Sequence, residues 1–173
     1  MDVKVLRNSK EFACLSYITG DIMIDAGEVP DKPIKKLILT HCHFDHVLYA
    51  NAIKEKFGAK IYSSKKCAEH LECMDEVVNV FLEPFGKKLS KIKVDVILKE
   101  GDRVGDFKVL ETPGHTDGSI CLFNEKEKIM FTGDTLFHQG FGRTDLPTGD
   151  EEELFKSLER VKKINLSLIY PGH

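Results

Sequence analysis

The stretch LTHCHFDH, residues 39–46, puts three histidines and an aspartate into eight positions directly after an apolar run. No helix can gather these side chains, because at ~100° per residue positions 41, 43, 45 and 46 point to widely different sides. A tight loop at a strand end can. In extended geometry His41 and His43 share one face and Cys42 takes the other, so the imidazoles pair and the thiol turns away.

Imidazole and carboxylate suit zinc, iron and manganese, and two such ions need about six to eight ligand atoms, more than one loop supplies. Further candidates stand in matching settings: His115 in TPGHTDG, Asp134 in FTGDTLF and His173 in YPGH, each straight after a strand-like run. A lone histidine is ordinarily a hydrogen-bonded structural residue. Five histidines and two aspartates delivered by four strand ends are a metal-ligand pattern.

The rest of the sequence says what carries those ends. Short apolar runs predict strands over VKVL, FACLSYI, DIMIDAG and KLILT, then a helix from Val47 to Phe57 stopped by Gly58. AKIYSS reads as a strand, and residues 64–85 as helical until Pro84 interrupts. Strand signals return in VDVIL, RVG, FKVLETPG, SICLFN and KIMFTG. Thr148 with Glu151 fits a capping box ahead of an apolar stripe at Leu154, Leu158 and Val161, and LSLIY is a last strand. Strands, helices, strands, helix is the order of two β-rich halves packed face to face with helices outside. At 173 residues and 42% hydrophobic, the chain fits one domain, residues 1–173.

With 25 basic and 28 acidic residues, the net charge of −3 gives no field that draws nucleic acid or anionic lipid. A small-molecule substrate is the expected partner, with no nucleic acid and no membrane; oligomeric state is left open. The charged first residues and the absence of a long apolar run point to the cytoplasm. Five scattered cysteines without a C-x-x-C pair argue against a disulfide framework or a cysteine zinc ribbon.

HCHFDH resembles the H-x-H-x-D-H signature of the metallo-β-lactamase superfamily, and PGHTDGS, FTGDTLF and YPGH resemble its later ligand motifs, in order. The resemblance implies an α+β fold, an αββα sandwich of two mixed sheets with helices on the outer faces, and a binuclear site at one sheet edge. It implies that His41, His43 and His115 hold a first metal, that Asp45, His46 and His173 hold a second, and that Asp134 bridges them. Two zinc ions per chain are expected, with iron or manganese as alternatives. The implied chemistry is attack on a carbonyl by a metal-bound hydroxide, with Asp45 orienting the hydroxide or taking up its proton. The segment FHQGFGRTDLPTGD, residues 137–150, looks like the corresponding loop of glyoxalase II-like hydrolases and of persulfide dioxygenases. A glyoxalase II-like thioesterase is therefore the leading expectation, and a mononuclear-iron persulfide dioxygenase the alternative. The resemblance does not extend to the C-terminal helical domain with which glyoxalase II contacts glutathione.

Around this set, Asp25 is expected to orient a ligand or fix the turn, and His70 to be a solvated surface residue among helix charges. Arg143 and His138 are candidate substrate contacts, Arg143 being equally suited to pairing with Asp145. For His173, the strand from Leu166 to Tyr170 and the rigid Pro171 are expected to provide the positioning.

Overall fold

The computed structural model describes residues 1–7, 14–80, 82 and 89–173. The first sheet comprises β1 (Lys4–Arg7), β2 (Leu15–Thr19), β3 (Ile22–Ile24), β4 (Lys36–Ile38), β5 (Lys60–Ser64) and β6 (Val96–Leu98), in that spatial order. The pairs β1–β2 and β2–β3 are antiparallel; β3 to β6 run parallel. The second sheet uses β7 (Arg103–Val104), β8 (Phe107–Glu111), β9 (Ile120–Asn124), β10 (Ile129–Gly133) and β13 (Leu168–Pro171), ordered β13-β10-β9-β8-β7. Only β13 is parallel to its neighbour, β10. A small hairpin, β11 (Leu136–Phe137) with β12 (Gly140–Phe141), forms a two-stranded sheet of its own.

Strand alternation makes the sandwich. Ile22 and Ile24 of β3, Ile38 of β4, Ile120 and Leu122 of β9 and Phe131 of β10 share the cluster between the sheets. Their intervening neighbours face outward: Met23 and Leu37 into the layer with Ile53 and Leu71, Cys121 and Met130 into the layer with Val161. The period of two thus buries both faces of each sheet. Each fully buried aliphatic side chain contributes about 1.5–3 kcal/mol relative to an exposed one.

The outer layers are helical. On the first sheet lie α2 (Ala50–Phe57) and α3 (Lys65–Cys73), preceded by the short α1 (Phe44–Val47) and followed by α4 (Glu76–Asn79). On the second lies α5 (Glu151–Lys162), whose buried stripe is Leu154, Ser157, Leu158 and Val161. The αββα expectation holds.

Two local expectations change. The single helix over 47–57 is two, because main-chain groups between them are committed elsewhere: Ala26 N donates to His46 O (2.7 Å) and Tyr49 N to Ala26 O (2.9 Å). The cap of α5 is Asp150, whose Oδ1 accepts from Glu153 N at 3.0 Å, and Thr148 instead sits in a left-handed turn with φ 67°. Pro84 lies outside the described residues. Gly58 does terminate α2 in a left-handed conformation, its N–H bonding Lys54 O at 2.8 Å.

Candidate metal centre

The C-terminal ends of β3, β4, β8, β10 and β13 deliver Asp25, the loop His41–His46, His115, Asp134 and His173, so strands of both sheets bring candidate ligands to one edge. The approach is close. At Gly133 a Cβ would lie 2.5 Å from Thr40 Oγ1, and at Gly172 a Cβ would lie 2.0 Å from Asp134 Oδ1 and 2.7 Å from His46 Cε1. Small residues at these points let strand ends from opposite sheets meet.

Among the described residues, ligand-type atoms group as His41, His43 and His115, as His41, His46 and Asp134, and as Asp45, His46 and His173. His43 Nδ1 faces His115 Nε2 at 2.9 Å. Asp134 lies between the sets, with Oδ1 3.2 Å from His46 Nε2 and Oδ2 3.6 Å from His115 Nε2 and 3.5 Å from His173 Nε2. His173 Nε2 also lies 3.1 Å from Asp45 Oδ2. Cys42, between two of these histidines, is buried in the outer apolar layer, as its place on the opposite face requires.

Hydrogen bonds behind the imidazoles aim them inward. His46 Nδ1 donates to Asp25 Oδ2 at 2.9 Å. Thr40 Oγ1 donates to the same oxygen at 2.9 Å, so its lone pair is left to accept from His41 Nδ1 at 3.1 Å. His115 Nδ1 donates to the main-chain oxygen of Arg143 at 2.8 Å. In each ring Nδ1 is engaged by an acceptor behind it, so Nε2 is the nitrogen turned to the centre. Asp25 itself adopts φ 58° and accepts a third bond, from Thr40 N at 2.7 Å, a strained conformation held by these partners.

Whether the set fits a cation is decided by what it lacks. Nε2 of His41, His43 and His46 and Oδ1 of Asp134 are buried with no hydrogen-bond partner. A bare buried polar atom costs about 1–3 kcal/mol, and a cation is the partner that nitrogen and oxygen donors converging from several directions share. Burial holds His41 well below the ordinary imidazole range, His43 at about 3, and lowers His115, leaving them neutral as ligation requires. For His46 burial opposes the charge, but the carboxylates of Asp134, Asp25 and Asp45 outweigh it and raise the ring well above that range. Hydrogen bonds to Asp134 and Asp45 bring His173 up to about 9. Both rings therefore stand among carboxylates whose negative charge suits a cation equally. Behind them Cys14 groups with Asp25 and His46, but burial pushes its thiol up to about 11, and it stays protonated.

A model of the metallo-beta-lactamase superfamily matches residues 11–173. The chain belongs to this superfamily. A probable metallo-hydrolase of Methanocaldococcus jannaschii is 40% identical over 149 residues, 82% of this chain and 70% of that protein. Hydroxyacylglutathione hydrolase GloC of Haemophilus influenzae is 35% identical over 165 residues, 87% of this chain and 74% of its own. Among solved structures, TTHA1623 in a di-iron-bound form superposes with a TM-score of 0.79 at 27% identity, covering 99% of this chain and 86% of its own. Metal binding and hydrolase chemistry accord with membership of the metallo-beta-lactamase superfamily.

The remaining candidates fare differently. His138 is exposed at the turn of the β11–β12 hairpin. Arg143 is also exposed and clamps Asp145, with Nε to Oδ1 at 2.6 Å and Nη2 to Oδ2 at 2.7 Å. The loop's contact with the site is main-chain: the Arg143 carbonyl meets His115, and a Cβ at Gly142 would lie 2.0 Å from Asp134 O. His70 is not a solvated residue. Its ring is half-buried between Asp75 (Nδ1 to Oδ2, 2.6 Å) and Asp117 (Nε2 to Oδ1, 2.9 Å), and so ties α3 to the turn after His115. The positioning of His173 is also firmer than the strand and Pro171 alone would make it. Gly172 N donates to Gly133 O (2.8 Å), Leu15 N to Gly172 O (2.7 Å) and Tyr17 Oη to Pro171 O (2.5 Å).

Proposed function

We propose that the chain is a hydrolase of a small thioester of the hydroxyacylglutathione class, working with two zinc ions per chain, or iron or manganese in their place, in the cytoplasm. The observation that carries it is the Asp134 carboxylate lodged between two imidazole sets amid buried, unpartnered nitrogens. His41, His43 and His115 would hold one ion, Asp45, His46 and His173 the other, and Asp134 both. When bound, such ions bring the pKa of water toward ~7 and polarise a carbonyl, the needs of thioester hydrolysis.

The chain's own residues supply the rest. Burial would raise the Asp45 carboxyl, but His46 and the hydrogen bond from His173 lower it, so it stays ionised and accepts a proton at the mouth of the site. Asp25, Thr40 and the Arg143 carbonyl each hold one imidazole by Nδ1, so Nε2 of all three is turned to the centre. Phe137 lies beside His173, ring centroids 6.3 Å apart, and gives the mouth an apolar wall. Likeness to a hydroxyacylglutathione hydrolase supports the substrate class. Five free cysteines, four of them buried, fit a reducing compartment, and among the described residues no helix is long and apolar enough to cross a membrane.

The test is metal analysis of purified protein with turnover of a panel of hydroxyacyl and simple acyl thioesters of glutathione. Two ions and thioester turnover are expected. One iron per chain, with oxygen consumed on a persulfide and no thioester turnover, would overturn this reading in favour of the dioxygenase.

A further inference from the structure

Of the candidate ligands, His173 is held least by packing: its side chain is 47% exposed, against 13% or less for Asp45, Asp134, His115 and His46. Its placement must come from the backbone before it. Pro171 ends β13 in the second sheet, yet its carbonyl accepts a bond from Tyr17, a residue of β2 in the first sheet and 154 positions earlier. The phenol crosses the inter-sheet layer to reach it, with its ring centroid 5.2 Å from both Phe131 and Tyr170. A buried hydroxyl needs a partner, and here the partner lies on the segment carrying His173.

We propose that Tyr17 is a positioning residue for the metal site: its hydroxyl braces Pro171 and so fixes His173 Nε2 against Asp45 and Asp134. The neighbouring Leu15 N to Gly172 O bond acts in the same sense from the main chain, and no side-chain substitution can remove it. Tyr17 sets the affinity of the ion that His173 serves and has no contact with the imidazoles of the first set, which other strands carry. This rests on the reading of His173 as a ligand.

Tyr17→Phe keeps the ring and its packing and deletes only the hydroxyl. The experiment is cobalt(II) titration of metal-free wild type, Tyr17→Phe and His173→Ala against a competing chelator, followed by the visible absorption of each bound ion, with thermal melts of the metal-free proteins. The expected result is two ions in wild type, one in His173→Ala, and in Tyr17→Phe a second ion weakened roughly five- to tenfold, the worth of one hydrogen bond, with the first unchanged. Unchanged affinity for both ions in Tyr17→Phe, while His173→Ala loses one, would overturn the brace and leave the ligand reading intact. Equal weakening of both ions would show a merely structural tyrosine and overturn it as well. Two ions retained in His173→Ala would remove the ligand reading and the brace with it.

Discussion

Replacing Asp25 by Asn changes one atom of a residue that need not touch metal, and should cost the site much of its affinity. The carboxylate accepts Thr40 N at 2.7 Å on one oxygen, and Thr40 Oγ1 and His46 Nδ1, each at 2.9 Å, on the other. An amide can keep the first bond, but its NH2 then stands where two donors point. Thr40 can rotate its hydroxyl. His46 can accept from that NH2 only with Nδ1 bare, which leaves its proton on Nε2, the nitrogen that lies 3.2 Å from Asp134 Oδ1 in the centre of the site. A hydrogen bond to a charged group contributes about 1.5–3 kcal/mol, so the loss corresponds to roughly 10- to 150-fold, in the range of about 10- to 100-fold typical of residues behind metal ligands. Chelator competition on Asp25→Asn should show this loss at the ion bound by His46, a smaller one at the ion bound by His41, and turnover falling in parallel. Affinities within twofold of wild type at both ions would refute the claim that Asp25 sets the His46 tautomer.

Gly172→Ala alters no ligand but places a methyl 2.0 Å from Asp134 Oδ1, so metal content and turnover should both fall steeply, while Gly58→Ala, with open space around it but φ 67°, should lower only the melting temperature. Asp134→Ala should lower the occupancy of both ions, since its oxygens face both sets; a protein with one site full by metal analysis would sink the shared role. His70 bears on pH. Burial opposes its charge, but hydrogen bonds to Asp75 and Asp117 prevail and raise it above 6.5, so its stabilisation is complete below that value and is lost as pH rises through the folded-state pKa. The gap in melting temperature between wild type and His70→Gln should therefore be wider at about pH 6 than at about pH 9, and a gap that widens with pH would contradict the assignment.

How far the sequence revealed this molecule depends on the range of the signal. Alternation in β3, β4, β9 and β10 is local, and it marks both faces of each strand. Ligand identity is local too, because a histidine after a strand is visible in a few residues. Pairing is not. Residues 96–98 open the second run of strands, yet β6 joins β5 in the first sheet, a contact set by long-range register. His70 reads as a helix-surface residue among Lys65, Lys66 and Glu69 until Asp117, 47 positions on, closes over it. The two-residue strands β11 and β12 are too short for any periodicity to show.

The features that escaped notice share a chemical reason. Three inward-facing imidazoles are fixed by three kinds of acceptor: a carboxylate for His46, a hydroxyl for His41 and a main-chain carbonyl for His115. Of these only the carboxylate has a side chain that announces itself in a sequence. A main-chain acceptor is available at every residue, so the Arg143 and Pro171 carbonyls carry no signature, although they restrain His115 and the segment bearing His173. What a sequence does record is the space such contacts need. Glycine stands at 142 and 172 because Asp134 leaves no room for a Cβ at either, so the small residue beside a ligand marks the point where the backbone does the positioning.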